Sequence, residues 1–97
     1  NLSTAFRIVL EGVPSSINYN VLYAETTAVE GIHEVQALRV WSLDNVHHAA
    51  EIELSTPLNT LKDIELLKSS LRALLAAHGI KQSTIEVRPM NNNLQEM

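Results

Sequence analysis

The stretch that decides the fold is residues 33–55, HEVQALRVWSLDNVHHAAEIELS. It contains two runs rich in β-branched and apolar residues, 33–43 and 46–55, on either side of the polar pair Asp44 and Asn45. A two-residue polar connection between two such runs indicates a β-hairpin. We therefore predict two neighbouring antiparallel strands here.

The second run of the hairpin alternates in polarity along its length. Successive side chains of a strand point to opposite faces of the sheet, so the alternation predicts one buried face and one wet face. The wet face is expected to carry Glu51 and Glu53. The buried row is Val46, His48, Ala50, Ile52 and Leu54, and the opposite row is His47, Ala49, Glu51 and Glu53.

A long helix is predicted after the hairpin. Pro57 ends the strand, and Thr60 with Asp63 three positions later forms a capping box. Apolar residues then recur at steps of three and four as far as His78, which predicts a helix with one face packed on a sheet. Gly79 is expected to end it. The recurring residues are Leu61, Ile64, Leu67, Leu71, Leu74 and Leu75.

Two strands and a weaker helix complete the predicted order. Residues 80–89 alternate again, and residues 4–13 form a first strand whose pairing partner the pattern does not reveal. Asn18 can cap a helix from about Tyr19 to Val29. The order β-α-β-β-α-β predicts an α+β, ferredoxin-like two-layer sandwich with both helices on one face of an antiparallel or mixed sheet. The other face is then open to a partner or a ligand.

Composition excludes several classes of function. The 97-residue chain has a net charge of -4, its basic residues form no stripe, and it has no cysteine. These features disfavour nucleic-acid binding and exclude disulfides and thiolate metal sites. The missing cysteines also suit a reducing compartment, so we expect a cytosolic location. No apolar run reaches the ~18 residues of a membrane span, so we expect no membrane insertion by this segment. The start at Asn1 suggests a fragment of a longer protein, with a domain over 1–89 and a flexible polar tail over 90–97.

Catalysis is also disfavoured, because the usual nucleophile, zinc-protease and phosphate-binding motifs are missing and there are only three glycines. A small hydrolase or isomerase would require a pocket of which the sequence gives no sign. A free-standing ferredoxin-like dimeric sensor, binding a small ligand or a metal ion between protomers, remains an alternative because fold alone does not determine function.

Four segments resemble the C-terminal domain of the cation diffusion facilitators, a family of metal-ion transporters. In order they are VLEGVP at 9–14, GIHEV at 31–35, LRVWSL at 38–43, and GI at 79–80 followed by STIEV at 83–87. The match covers nearly the whole chain. The resemblance implies a cytosolic domain beneath a transmembrane transporter, which forms a homodimer and can bind zinc or related divalent ions that favour a closed dimer.

The chain departs from the family pattern at the positions where the resemblance implies metal ligands. Gln36 and Arg39 stand where the family often has histidine, Glu51 replaces the hairpin histidine, and Glu86 and Arg88 lie in the last strand. Glutamine is a poor zinc ligand, and arginine stays charged and repels a cation. We therefore expect the cytosolic metal site of the family to be weak or absent, with no cofactor required and Zn or another divalent cation bound weakly if at all.

Two interpretations of the charged outer face follow. The first is a remodelled ion site, and the second is an ion-pair network in which arginines neutralise glutamates and stabilise the dimer without metal. The residues of this face are Glu51, Glu53, Glu86, Arg39 and Arg88, and in the network Arg39 and Arg88 neutralise Glu51 and Glu86. We favour the network, because carboxylates beside guanidinium groups usually pair with them. Trp41 is expected to be a core or interface anchor, with core packing favoured, and Trp41, Arg39 and Arg88 are the candidates for the dimer interface.

The remaining metal candidates are histidines near the hairpin. His47 and His48 point to opposite faces and cannot grip one ion together. A cluster of His33, His47 and Glu51 is conceivable, although such histidines are usually solvated surface. The weak candidates for a metal are thus His33, His47, Glu51 and Glu86. His78, at the end of the long helix, is interpreted as structural.

The resemblance thus implies a domain that pairs with a second copy of itself, acts on the transmembrane domain of a parent transporter, and is regulatory in function.

Overall fold

The structure is a computed structural model that describes residues 14, 16–44 and 46–90, together with the backbone of residues 7–8. The predicted order β-α-β-β-α-β is confirmed. The elements are β1 (Arg7–Ile8), α1 (Tyr19–Thr27), β2 (Glu34–Ser42), β3 (His48–Thr56), α2 (Leu61–Ala77) and β4 (Ile80–Pro89). The rest of the predicted first strand and the tail from residue 91 onward lie outside the described residues.

The four strands form one mixed sheet in the order β1-β2-β3-β4. β1 is parallel to β2, β2 is antiparallel to β3, and β3 is parallel to β4. The first strand therefore joins the sheet, which the sequence pattern left open. The sheet consists of two parallel β-α-β units joined by the central hairpin, and the predicted ferredoxin-like class is confirmed.

The core lies between the sheet and the two helices. On α2 the fully buried side chains are Leu67, Leu71 and Leu75, three of the six predicted apolar positions. Burying a leucine side chain stabilises a fold by about 1.5 to 3 kcal/mol. The three leucines pack on buried residues of the strands, namely Val35, Leu38, Val40, Ala50, Ile52, Leu54 and Ile85. Leu61, predicted to share the stripe, is instead 75% exposed at the first position of the helix.

Side-chain hydrogen bonds fix both ends of α2. The Thr60 hydroxyl accepts a hydrogen bond from the Asp63 amide at 3.2 Å, as the capping motif predicted. Gly79 follows the helix with φ of 85°, the left-handed conformation that glycine adopts without strain. The His78 ring Nε2 donates a hydrogen bond to Oε1 of Glu25 in α1 at 2.7 Å, which joins the two helices. The structural role expected of His78 agrees with this contact.

Tertiary contacts hold the helix α1, whose sequence has weak helical propensity. Leu22 is fully buried, and the Tyr19 hydroxyl donates a hydrogen bond to the Leu38 carbonyl of β2 at 2.6 Å. Burial, and to a lesser extent the proximity of Tyr23, raises the pKa of Tyr19 to about 12. The Asn18 side chain accepts a hydrogen bond from Val21, confirming the predicted cap.

The hairpin connection differs from the prediction. The strands end at Ser42 and resume at His48, so the loop covers residues 43–47 and not only Asp44 and Asn45. The Asp44 carboxylate accepts hydrogen bonds from the amides of Val46 and His47, both at 2.8 Å. These local bonds replace strand pairing, because an aspartate side chain competes with the ladder for backbone amides. Val46 and His47 therefore belong to the loop, and the predicted rows of β3 begin one step later.

Within the described residues, neither helix has the length and apolarity of a membrane-spanning helix.

Candidate functional site

The face of the sheet turned away from both helices, here called the outer face, is the candidate site. Strand alternation places there every second residue of β2, β3 and β4. Aligned residues of neighbouring strands share this face, so it forms one continuous surface. Its residues are Ala37, Arg39 and Trp41 on β2, Ala49, Glu51, Glu53 and Ser55 on β3, and Gln82, Thr84, Glu86 and Arg88 on β4.

Arg39 lies at the centre of the charges on the outer face. Its Nη1 is 2.5 Å from Oε1 of Glu51, the residue directly opposite in the antiparallel register. Its Nη2 is 3.7 Å from Oε2 of Glu53, one outer-face position further along β3. The Arg39 guanidinium thus pairs with two carboxylates, which its several N–H donors in one plane allow.

A second ion pair lies on β4. The Arg88 Nε donates a hydrogen bond to Oε2 of Glu86 at 3.3 Å, and both side chains are largely exposed. The ion pairs predicted for Arg39 with Glu51 and for Arg88 with Glu86 are therefore both present. Glu53, which the sequence placed on this face without a partner, joins the first pair.

Trp41 lies at the hairpin end of the outer face. It is 39% exposed, so the favoured expectation that it packs in the core is wrong. Periodicity places Trp41 on the opposite face from Val40 but does not say which face the helices cover. Its register partner Ala49 is 4% exposed, so the surface beside the indole is apolar. The position fits the other expectation, an interface anchor.

Gln36 occupies a β-bulge that the sequence pattern did not predict. The register of β2 with β3 shifts between Val35 and Ala37. The Gln36 amide nitrogen donates a hydrogen bond to the Ser55 hydroxyl at 3.3 Å. Its Oε1 is buried and has no hydrogen-bond partner in the part of the chain that the structure describes. No sequence signal indicates the bulge, because the run reads as regular alternation.

The structure does not assemble the histidine cluster considered from the sequence. The His33 amide donates a hydrogen bond to the Ser55 carbonyl, at one end of the hairpin. His47 lies in the loop at the other end, with its ring Nδ1 2.7 Å from Oδ2 of Asp44. Glu51 lies between them on β3 and pairs with Arg39. The predicted cluster does not form because the hairpin loop has five residues, so His47 lies in the loop and not on β3.

Asp44 and His47 form a local pair. Hydrogen bonds from the Val46 amide, and then from the His47 side chain and amide, lower the pKa of Asp44 to about 2. Among residues 14, 16–44 and 46–90, no three histidine, aspartate or glutamate side chains are grouped so that they could hold a metal ion. Metal binding by His33, His47, Glu51 or Glu86 stays a prediction.

Comparison with known proteins gives relatives of one kind. The chain is 29% identical over 86 residues to a probable zinc transporter protein of Dictyostelium discoideum, covering 89% of this chain and 16% of the relative. It is 29% identical over 82 residues to the probable proton-coupled zinc antiporter SLC30A4 of Bos taurus, covering 84% of this chain and 19% of the relative. The chain thus spans less than a fifth of the length of either relative. Both are named as transporters and not as enzymes, and no family model matches the chain.

Solved structures share the fold. A variant of the MamM C-terminal domain superposes with a TM-score of 0.63 at 17% identity, covering 75% of this chain and 92% of that domain. Two further structures of variants of the same domain, described as a copper form and a nickel form, superpose with TM-scores of 0.62 and 0.63 at 16% identity. The resemblance to the cation diffusion facilitator family is therefore confirmed: the chain is homologous to zinc transporters, and it has the fold of the MamM C-terminal domain.

Proposed function

We propose that this chain is the cytosolic C-terminal domain of a cation diffusion facilitator of the zinc-transporting type, and that it acts there as a dimerising regulatory module. Homology to zinc transporters and the shared fold support the assignment. Its partners are then a second copy of itself and the transmembrane domain of the parent transporter. Its location is the cytoplasmic face of a membrane.

The outer face is the surface that we assign to the dimer. A single observation carries this assignment: no helix or strand of the described residues covers the face, yet it presents a tryptophan, 39% exposed, beside an ion-paired arginine. Tryptophan and arginine are enriched among residues that dominate binding energy at interfaces. In a symmetric dimer the same patch on each copy meets its twin.

Metal is not required for this dimer. Arg39 occupies a position where the resemblance implies a metal ligand, and its charge would oppose a divalent cation held by Glu51. The guanidinium supplies the positive charge that a bound ion would otherwise contribute between the carboxylates. The copper and nickel forms of the MamM domain support divalent-ion binding as a weak additional property, for which Glu51 and Glu86 are the best-placed carboxylates.

Regulation then operates through the geometry of the dimer. Two copies that alternate between an open and a closed arrangement would hold two transporter protomers in register. A bound ion or partner shifts that equilibrium only by its preference for one arrangement. With arginine in place of histidine, we expect a small response to zinc.

Sedimentation velocity of the full chain with a chelator tests the proposal. We expect a dimer that persists without metal, is weakened by Trp41→Ala and by Arg39→Glu, and is restored in part when Arg39→Glu is combined with Glu51→Arg. Leu61→Ala, an exposed apolar residue on the helix side, is the matched control and should leave the dimer intact. A chain that stays monomeric with chelator into the millimolar range, or that dimerises only when zinc is added, would contradict the proposal.

A further inference from the structure

A groove lies on the helix side of the molecule, away from the outer face. It runs between the residues after α1 and the first half of α2, and its volume is about 410 Å³. Leu58 and Leu67 are partly or fully buried at its base, and Leu66 is 57% exposed at its edge. The apolar part of the lining therefore remains accessible to a partner. Val29 completes it.

The charged residues of the groove are all acidic. Glu30, in the turn after α1, and Asp63, in the first turn of α2, both line it, and no lysine or arginine is among its described lining residues. We call this surface the acidic groove, defined by Val29, Glu30, Leu58, Asp63, Leu66 and Leu67. Both acidic residues are exposed, so their carboxylates are accessible to the basic groups of a partner.

The end of α1 adds to the negative potential. The C-terminus of a helix carries a partial negative charge, which a basic residue in the last turn commonly offsets. The last turn of α1 contains no basic residue, and Glu30 lies three positions after Thr27, the last residue of the helix. Asp63 offsets the opposite, positive end of α2, whose first turn contains it. The acidic groove thus combines an accessible leucine with the negative charge of Glu30 and of the α1 C-terminus, which no basic residue in the last turn of α1 offsets.

This combination selects the chemistry of the occupant. An isologous contact with a second copy would bring the same carboxylates together, and an anionic lipid surface or a nucleic acid would meet the same repulsion. An amphipathic helix laid in an apolar groove is a recurring mode of recognition, with anchors spaced at three and four residues. We propose that the acidic groove docks an amphipathic segment of a partner protein that carries aliphatic side chains next to lysine or arginine.

The test is an NMR titration of the ¹⁵N-labelled full chain with three synthetic helical peptides. The first carries leucines at i and i+4 flanked by lysines, the second has glutamate in place of each lysine, and the third has serine in place of each leucine. We expect the first peptide alone to shift the amide signals of residues 29–31 and 66–70. Added salt should weaken its binding, because the charges at the rim are partly exposed.

Matched variants locate the contact. Leu66→Ala should lower the affinity of the first peptide by about tenfold, from the loss of one apolar anchor. Leu61→Ala, an exposed leucine on the same helix outside the groove, should leave it unchanged. Glu30→Gln should lower it by about two- to fivefold, whereas Glu65→Gln should not. All four substitutions are at half-exposed or exposed positions, and an unchanged dispersed spectrum confirms that each variant is folded.

Several outcomes would overturn the proposal. They are no shift of the groove amides at any peptide concentration, equal binding of the glutamate peptide, equal losses for Leu61→Ala and Leu66→Ala, or groove shifts that depend on the concentration of the chain itself. The last outcome would make a second copy the occupant. Dimerisation through the outer face is measured separately, so this proposal and the proposed function can fail independently.

Discussion

Arg39 and Glu51 face each other directly across the antiparallel pair β2 and β3, with 2.5 Å between Nη1 and Oε1, and the same guanidinium reaches Glu53 at 3.7 Å. The Arg39 side chain is 45% exposed, so solvent screens much of the attraction. In a single copy the cluster should therefore contribute little to folding. Its larger effect is expected where a partner surface removes water from it.

The first prediction concerns the energy of this pair. A double-mutant cycle on Arg39→Ala and Glu51→Ala should give a coupling of about 0.2 to 1 kcal/mol in the free energy of unfolding of the monomer. Urea denaturation at low and high salt measures it, and high salt should reduce the coupling. The same cycle on Arg88 and Glu86, a longer and more exposed pair, is the control and should give less. A coupling that is large and insensitive to salt would show that the pair is desolvated within one copy.

The second prediction tests the core. Leu71→Ala should lower the free energy of unfolding by about 2 to 5 kcal/mol, because the side chain is fully buried and its removal leaves a cavity. Leu61→Ala on the same helix should change it by no more than about 0.5 kcal/mol, because Leu61 is exposed. Urea denaturation of both variants is sufficient. Equal losses of stability in Leu71→Ala and Leu61→Ala would contradict the assignment of the buried face of α2.

The third prediction concerns Tyr19. The Tyr19→Phe variant removes the hydrogen bond to the Leu38 carbonyl and should cost about 0.5 to 1.5 kcal/mol at neutral pH. Folding raises the pKa of Tyr19 from 10.0 to about 12, so its contribution is complete below pH 10. It is then lost as the pH rises through the folded value, because the unfolded state gives up its proton first. The stability difference between the native chain and the variant should therefore fall above pH 10, and a difference constant across that range would contradict this account.

The fourth prediction concerns the hairpin loop. Asp44→Ala should speed hydrogen exchange of the Val46 and His47 amides, which donate hydrogen bonds to the Asp44 carboxylate. Asp44→Asn is the matched control, because its side-chain oxygen can still accept these bonds without the charge. The pKa of Asp44 is lowered from 3.8 to about 2, so the stabilisation of the loop is present above pH 3.8 and is lost as the pH falls through the folded value. This acid dependence should be missing in Asp44→Asn, and its persistence there would assign it to another group.

The fifth prediction compares two glycines with positive φ. A Cβ added at Gly79 would have no neighbouring atom within 4 Å. Gly79→Ala should therefore lower the free energy of unfolding by about 1 to 2 kcal/mol, from backbone strain alone. Gly31→Ala should cost more, because its φ is 101° and an added Cβ would lie 3.1 Å from Cδ1 of Leu58. Thermal unfolding of both variants ranks them. The reverse order would mean that Leu58 moves aside without loss.

The regular parts of the fold could be predicted from the sequence. The bounds predicted for β4 match the structure, because Ile85 and Val87 alternate with charged residues, and α2 ends where Gly79 permits. The hairpin loop was predicted wrongly because Asp44 binds backbone amides, which hydrophobic patterning does not represent. The exposure of Trp41 and the bulge at Gln36 depend on which face the helices cover and on strand register, both of which are tertiary properties.

On the outer face, the pairing of arginine with glutamate was predicted more accurately than the grouping of histidines was. Arginines and glutamates on one predicted face indicated both ion pairs, whereas the histidine cluster failed once His47 moved into the loop. The acidic groove was not predicted at all, because Val29, Leu58 and Leu66 come from the turn after α1, the connection before α2 and α2 itself, and meet only in the folded domain. No local pattern encodes such a juxtaposition.

The two sides of the sheet differ in what holds them. On the helix side, contacts between aliphatic side chains stabilise the fold, and these contacts are insensitive to ionic strength. On the outer face, guanidinium and carboxylate groups dominate, and their interactions are screened by salt. Changes in salt should consequently act on partners that are bound through charged groups and leave the folded state intact, whereas urea acts on binding and folding alike. Assembly and folding of this protein can therefore be varied independently of each other in the test tube.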